Sequence, residues 1–264
     1  MSLDLTFFLI LGLRMAIAAA FVVSASMVAE RTGPVIGALV ATLPISAGPT
    51  YVFLAVDHDA AFIAQGALIS LPMNSATIFM SLAYAVWAQR RSMIVSAATA
   101  IAVWLVCAIL IRHVHWSLVS GVAINAATFA ICLPLLQRYC HARMPLITRR
   151  WYDVPLRASL VATLVATVST LSGWVGPTVS GVLAVFPTVF TSMMLILHPR
   201  IGGPATAAVM ANGAYGMIGF TSALGVLAAT ALPLGPAAAL SLALATCVFW
   251  NLGLWWFGRG KAAK

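Results

Sequence analysis

Two prolines carry the first chemical signal. Pro44 and Pro187 each lie about ten residues into an apolar run that opens with Gly-Pro, at Gly33-Pro34 and at Gly176-Pro177. A proline so placed removes a backbone hydrogen bond and clashes with the carbonyl one turn back. Hydroxyls gather beside both: Ser46 and Thr50 after the first, Thr188, Thr191 and Ser192 after the second, with Pro49 deepening the first break. Backbone groups freed in hydrocarbon must find partners or line a polar cavity. Helices resuming near Thr50 and Thr188 would aim free N–H groups and partial positive charge at a common centre, which suits an anionic or acceptor-rich ligand. For one such proline alone, a simple kink is the competing reading. Two at matched positions favour a site.

Other polar residues fall inside apolar runs: Asn74, Ser75 and Thr77, then Asn125, then Asn212, Tyr215, Thr221 and Ser222, and last Asn251. Each can serve as glue between helices. The pairs Asn74/Thr221 and Ser75/Ser222 stand at matched places and are the stronger binding candidates. Arg14 and Arg157 are matched as well. An intramembrane arginine is a functional candidate, yet each lies near a helix start and can instead snorkel to the headgroups. An arginine at each cavity mouth would suit an anionic substrate.

Enzyme chemistry is poorly provided for. The five acidic residues, Asp4, Glu30, Asp57, Asp59 and Asp153, avoid the middle of the runs, and the five histidines lie at run ends. There is no HExxH, no GxSxG and no paired-carboxylate arrangement. No metal site and no cofactor is implied, and no midplane carboxylate offers itself for proton or sodium coupling. Cys107, Cys132, Cys140 and Cys247 are scattered and read as small apolar residues.

These residues need helices in a bilayer to hold them. The chain has 264 residues, 62% hydrophobic and 7% charged, against roughly 25% charge in a soluble domain. A soluble fold of this length could not cover so much apolar surface. Nine continuous runs of membrane-spanning length follow, near 5–29, 35–56, 60–87, 93–111, 117–136, 155–173, 177–198, 204–228 and 237–257. Turn chemistry at Gly173–Gly176 and at Pro233–Pro236 is among the breaks. Of the 14 Lys and Arg, twelve lie at or beside odd-numbered loops or the C-terminus. The positive-inside rule then places the N-terminus outside and the C-terminus in the cytoplasm of a bacterial inner membrane. The net charge of +9 is a topology signal, and no nucleic-acid surface is expected.

A shift of 143 superposes Leu13-Arg14 on Leu156-Arg157, Ala19 on Ala162, Val22 on Val165, Gly33-Pro34 on Gly176-Pro177, Pro44 on Pro187 and Leu54 on Leu197. After four extra residues, Ser75 meets Ser222. The expected architecture is all-α, with nine transmembrane helices, an inverted repeat of 4+1+4 and proline-broken helices 2 and 7. Residues 1–112 form the first repeat, 113–154 the linker helix and basic cytoplasmic loop, and 155–264 the second repeat. Inverted repeats are a common build of secondary transporters.

The run Gly181-Val-Leu-Ala-Val-Phe-Pro187-Thr188, with its looser counterpart Gly37 to Pro44, resembles the small four-span GlpM-type bacterial membrane proteins. The resemblance implies a fused, inverted duplication of such a unit and carries no particular activity. At the level of fold, the design is similar to the bile-acid-symporter type, although that type has two five-span units. The expected function is a secondary transporter or exporter of a small polar, anionic metabolite. The alternative is a lipid scramblase, flippase-like or accessory membrane protein. The partners expected are a small-molecule substrate and the lipid bilayer, with a homodimer left open.

Overall fold

A computed structural model describes residues 2–31, 43–142 and 150–262. Among these residues there are ten helices and no strand. They are α1 (Ser2–Arg31), α2 (Ala47–Asp57), α3 (Ala60–Trp87), α4 (Met93–Ile111), α5 (Leu118–Gln137), α6 (Asp153–Ala184), α7 (Thr188–Ile201), α8 (Gly203–Gly213), α9 (Gly216–Leu234) and α10 (Pro236–Ala262). Seven of them, α1, α3, α4, α5, α6, α9 and α10, are long and apolar enough to cross a membrane. The chain is an all-helical, multi-pass membrane protein. Residues 33–42, which hold Gly33-Pro34 and most of the looser Gly37–Pro44 motif, lie outside the described residues, as do Arg143 and Arg149.

Local chemistry sets the helix starts. Asp59 caps α3 by accepting from the Phe62 amide at 2.9 Å. Ser117 and Ser120 form a reciprocal capping box at the start of α5. Three glycines turn the chain sharply: Gly176 (φ 72°, ψ −179°), Gly202 (φ 81°, ψ 164°) and Gly235 (φ 79°, ψ 161°). This backbone region is open almost only to glycine. Pro177 and Pro236 follow two of them directly, where a first-turn proline lacks only an amide that had no helical partner.

Those turns correct the expected boundaries. The turn anticipated over Gly173–Gly176 shrinks to Gly176 alone, and helix runs on both sides of it within α6. The run 177–198 is divided after Ala184 and resumes at Thr188. The run 204–228 is also two helices, parted at Ala214-Tyr215 between Gly213 and Gly216, and its second part continues to Leu234. Pro233 is therefore helical, and only Gly235 is left of the expected loop. Pro72 and Pro134 sit inside unbroken helices. A proline alone does not end a helix here. Three of the breaks fall instead at a glycine of positive φ, two of them directly followed by proline.

The core is built on α3, of whose apolar window 78% is buried, against 11% for α1. Around α3 lie α4, α5, α6, α8 and α9, while α9 pairs with α10 and α1 lies along α6. Two crossings depend on missing side chains. A Cβ on Gly181 would stand 2.3 Å from the Gly66 carbonyl oxygen, and one on Gly203 1.9 Å from that of Ala88. Trp151, in the turn before α6, and Trp174, on α6, are 85% and 90% exposed. From Asp153 to Trp174 the helix rises ~32 Å at 1.5 Å per residue, which suits rings at the two interfaces of a hydrocarbon layer ~30 Å thick.

Candidate functional site

The chain breaks before α2 and before α7 meet at one cavity of about 320 Å³. Leu43, Pro44, Ile45 and Ser46 line it from the first break, and Val185, Phe186 and Pro187 from the second. The far wall comes from Thr77 on α3 and from the α8–α9 corner, including Asn212, Gly213, Gly216 and Met217. Neither Ser46 before α2 nor Pro187 before α7 provides a side-chain cap. Backbone carbonyls of the breaks serve part of each first turn instead: the Gly48 amide bonds to the Pro44 carbonyl at 2.7 Å, and the Thr188 and Thr191 amides to the Phe186 and Pro187 carbonyls at 2.7 and 2.9 Å. α2 begins at Ala47 rather than near Thr50, because Pro49 is tolerated in a first turn.

The hydroxyls beside the breaks satisfy backbone carbonyls rather than projecting freely. Thr50 donates to the Ser46 carbonyl at 2.9 Å, and Thr191 to the Pro187 carbonyl at 2.9 Å. Ser192 donates to Val189 at 2.7 Å. Each ties the start of its helix to the break, which replaces part of the ladder that proline removes. Thr188 is buried, and its hydroxyl has no partner.

Asn74 and Thr221 do converge, but away from the cavity lining. The Asn74 amide donates to Thr221 Oγ1 at 2.5 Å and to the Met217 carbonyl at 3.1 Å. Asn125 joins them: its amide donates to the Leu71 and Gly121 carbonyls at 2.7 and 2.8 Å, and its Oδ1 lies 3.2 Å from Thr221 Oγ1. This is a buried clamp between α3, α5 and α9. Ser75 is buried with an unpartnered hydroxyl, whereas Ser222 is exposed and donates to the Ile218 carbonyl. The Ser75/Ser222 pair is therefore not one site. The side-chain period of a helix allows neighbours at 221 and 222 to face different ways.

Both arginines also depart from expectation. Arg14 forms a two-pronged ion pair with Asp57, the last residue of α2, with Nη2 2.6 Å from Oδ1. Its guanidinium also lies over the Phe53 ring. Arg157 lines neither this cavity nor the one described next. A second such pair, unforeseen, joins Arg200 at the end of α7 to Asp153 at the start of α6, with Nη1 2.7 Å from Oδ2. The Arg14 charge is thus paired with Asp57, and neither Arg14 nor Arg157 is among the described residues that line the cavities.

A second cavity, about 570 Å³, adjoins the first and shares Leu43, Pro44, Ala47 and Phe220 with it. It runs between α1, α2, α9 and α10, and its walls are nearly all aliphatic or aromatic. Sequence reading missed the apolar share of both linings. The signal for it was the Phe and Met content flanking the breaks, at Phe186, Phe190, Met193, Met210 and Met217.

Tyr51 on α2 donates to Ser70 on α3 at 2.6 Å, and Ser70 in turn donates to the Gly181 carbonyl at 2.6 Å. That relay fixes α2, α3 and the end of α6 to one another beside the breaks. Among the described residues no cluster could hold a metal ion, and all four cysteines are free. The chain matches no family profile, no curated protein and no solved structure.

Proposed function

We propose that the protein is a secondary transporter or exporter that works by alternating access around the cavity between the two breaks. One observation carries the reading: residues far apart in sequence, Pro44 and Pro187, bring two uncapped helix starts to a single cavity. The substrate is a small molecule with an acceptor-rich or anionic group for the helix starts, Ser46, Thr77 and Asn212, and an apolar body for the Phe and Met walls. The second and seventh of nine spans are then proline-broken helices, with α2 and α7 as their second halves.

The inverted repeat belongs to the same proposal, and contacts between matched residues support it. Ala18 and Val22 cluster with Val161 and Val165, their counterparts at a shift of 143. Asn74 bonds to its own counterpart Thr221. Counterparts that touch lie on a pseudo-two-fold axis. One member of each ion pair, Asp57 and Arg200, also stands at matched positions, 143 apart. The fused duplication of a GlpM-like four-span unit, the inner-membrane location, and the N-out, C-in orientation complete the proposal. Reporter fusions after Asp57 and at Lys264 test the orientation, and signals from the same side overturn it.

The transport reading is tested by flux of radiolabelled organic anions in proteoliposomes, comparing the native chain with Val209→Trp, which fills the cavity. Flux above empty liposomes that drops at least tenfold in the variant is expected. Flux unchanged by the filled cavity overturns the site. A lipid scramblase or flippase-like role is the second reading, favoured by the rim of the larger cavity, which is formed by half-exposed side chains of membrane helices.

A further inference from the structure

The larger cavity narrows the class of substrate. Its rim carries Ile17, Phe21, Val52 and Leu244, which are 49%, 50%, 48% and 50% exposed. On helices that cross a membrane, such a rim opens into hydrocarbon, where acyl chains and not water are the neighbours. Among the described residues of the lining, only Ser241 and Tyr51 have polar side chains; the Ser241 hydroxyl is spent on the Ala237 carbonyl of its own helix and that of Tyr51 on Ser70. The floor, at Leu43, Pro44, Ala47 and Phe220, is shared with the smaller cavity, where the helix starts lie.

We propose that the site takes a single-chain anionic amphiphile from the bilayer, its head at the helix breaks and its acyl chain along the groove between α1–α2 and α9–α10. This rests on the transport reading and replaces a fully water-soluble metabolite by a membrane-borne one. The combined volume, about 320 and 570 Å³, is within the range of ligand pockets, roughly 300–1,000 Å³. The matched region of the second repeat is shut: Leu164, counterpart of Phe21, is 7% exposed and belongs to the main core, and Met73, counterpart of Phe220, is fully buried. One half-site is open to lipid while its counterpart is closed, as alternating access of such a ligand requires.

The test uses the full chain in nanodiscs and a sixteen-carbon fatty acid carrying a diazirine near its methyl end. After illumination, mass spectrometry locates the adducts. Labelling of Phe220–Leu227 and Leu240–Leu244 at least tenfold above the more exposed surface of α4, at Ile94 and Ile109, is expected. Even labelling of both surfaces overturns the proposal. Leu244→Trp at the rim and Ala223→Phe in the wall should each reduce groove labelling tenfold; Leu244→Trp keeps the test valid if the buried substitution fails to fold. Groove labelling unchanged by Leu244→Trp overturns the proposal. Hexadecanoate should compete and butanoate should not, and equal competition by both overturns the chain assignment. Flux in proteoliposomes is scored separately. If butanoate crosses and hexadecanoate does not, the transporter stands and the amphiphile falls. If neither crosses while labelling stays in the groove, the transport reading falls and the groove assignment stands.

Discussion

At the scale of residues, charge is spent on holding helix ends together. The Arg200–Asp153 side chains are only 10% and 12% exposed, and Arg14–Asp57 are 16% and 28%. Removing one partner of a buried pair leaves the other without compensation, at about 3–5 kcal/mol, whereas more exposed pairs contribute about 1 kcal/mol or less. Asp153→Asn should therefore lower the melting temperature in detergent clearly more than Asp57→Asn. Equal shifts in a thermal unfolding assay would refute that ranking. The sequence alone showed neither ion pair, because Asp57 lies 43 residues from Arg14 and Arg200 lies 47 from Asp153, and a pair across helices leaves no local pattern. The sequence marked Asn74 and Thr221 as binding candidates, not as partners of each other, and gave no sign that Asn125 joins them, because a contact across three helices leaves no local pattern.

At the scale of elements, glycine and proline together decide where helices stop. Gly176 has open space around a built Cβ but a positive φ, so Gly176→Ala should cost about 1–2 kcal/mol through backbone strain alone. Gly173, helical and with open space around a built Cβ, should gain up to about 1 kcal/mol on substitution by Ala. Gly181→Ala belongs to a third kind, because its Cβ would overlap the Gly66 carbonyl. It should force α6 off α3, break the Tyr51–Ser70–Gly181 relay and cost more than Gly176→Ala. Thermal shifts of the three variants in one detergent check this order. Hydropathy located the long helices to within a few residues, since length and composition fix them. It did not show that the run 204–228 is split at Ala214-Tyr215, or that Pro72 leaves α3 continuous. Those outcomes depend on which neighbour fills the gap at each crossing.

At the scale of the molecule, Ala18 and Val22 of α1 share a small cluster with Val161 and Val165 of α6, while Leu164 and Val168, also on α6, join the main core. Phe21, which the proposed repeat would match to Leu164, is 50% exposed where Leu164 is 7%. The state expected on the other side of a transport cycle has Phe21 brought onto α9. A disulfide between Phe21→Cys and Leu224→Cys, in a chain whose four native cysteines are replaced, should form and arrest flux, and reduction should restore it. Flux that continues with the bond formed would sink the two-state picture. A shift of 143 says which residues the proposed repeat would match, but not which half is open. Which half is open follows from packing, where small differences such as Phe21 against Leu164 decide.

The position of α1 also bears on how the chain is made. Its contacts are with α6 and, through Phe53 and Asp57, with α2. The first residue of α6 follows the last of α1 by 122 positions, from Arg31 to Asp153. At roughly 5–20 residues per second of synthesis, α1 waits about 6–24 s in the bilayer before its main neighbour is made. During that interval a bare 30-residue helix, its Arg14 answered only by the end of α2, stands open to any other helix in the membrane. Assembly of this protein is thus a race between its own sixth helix and the surrounding proteome.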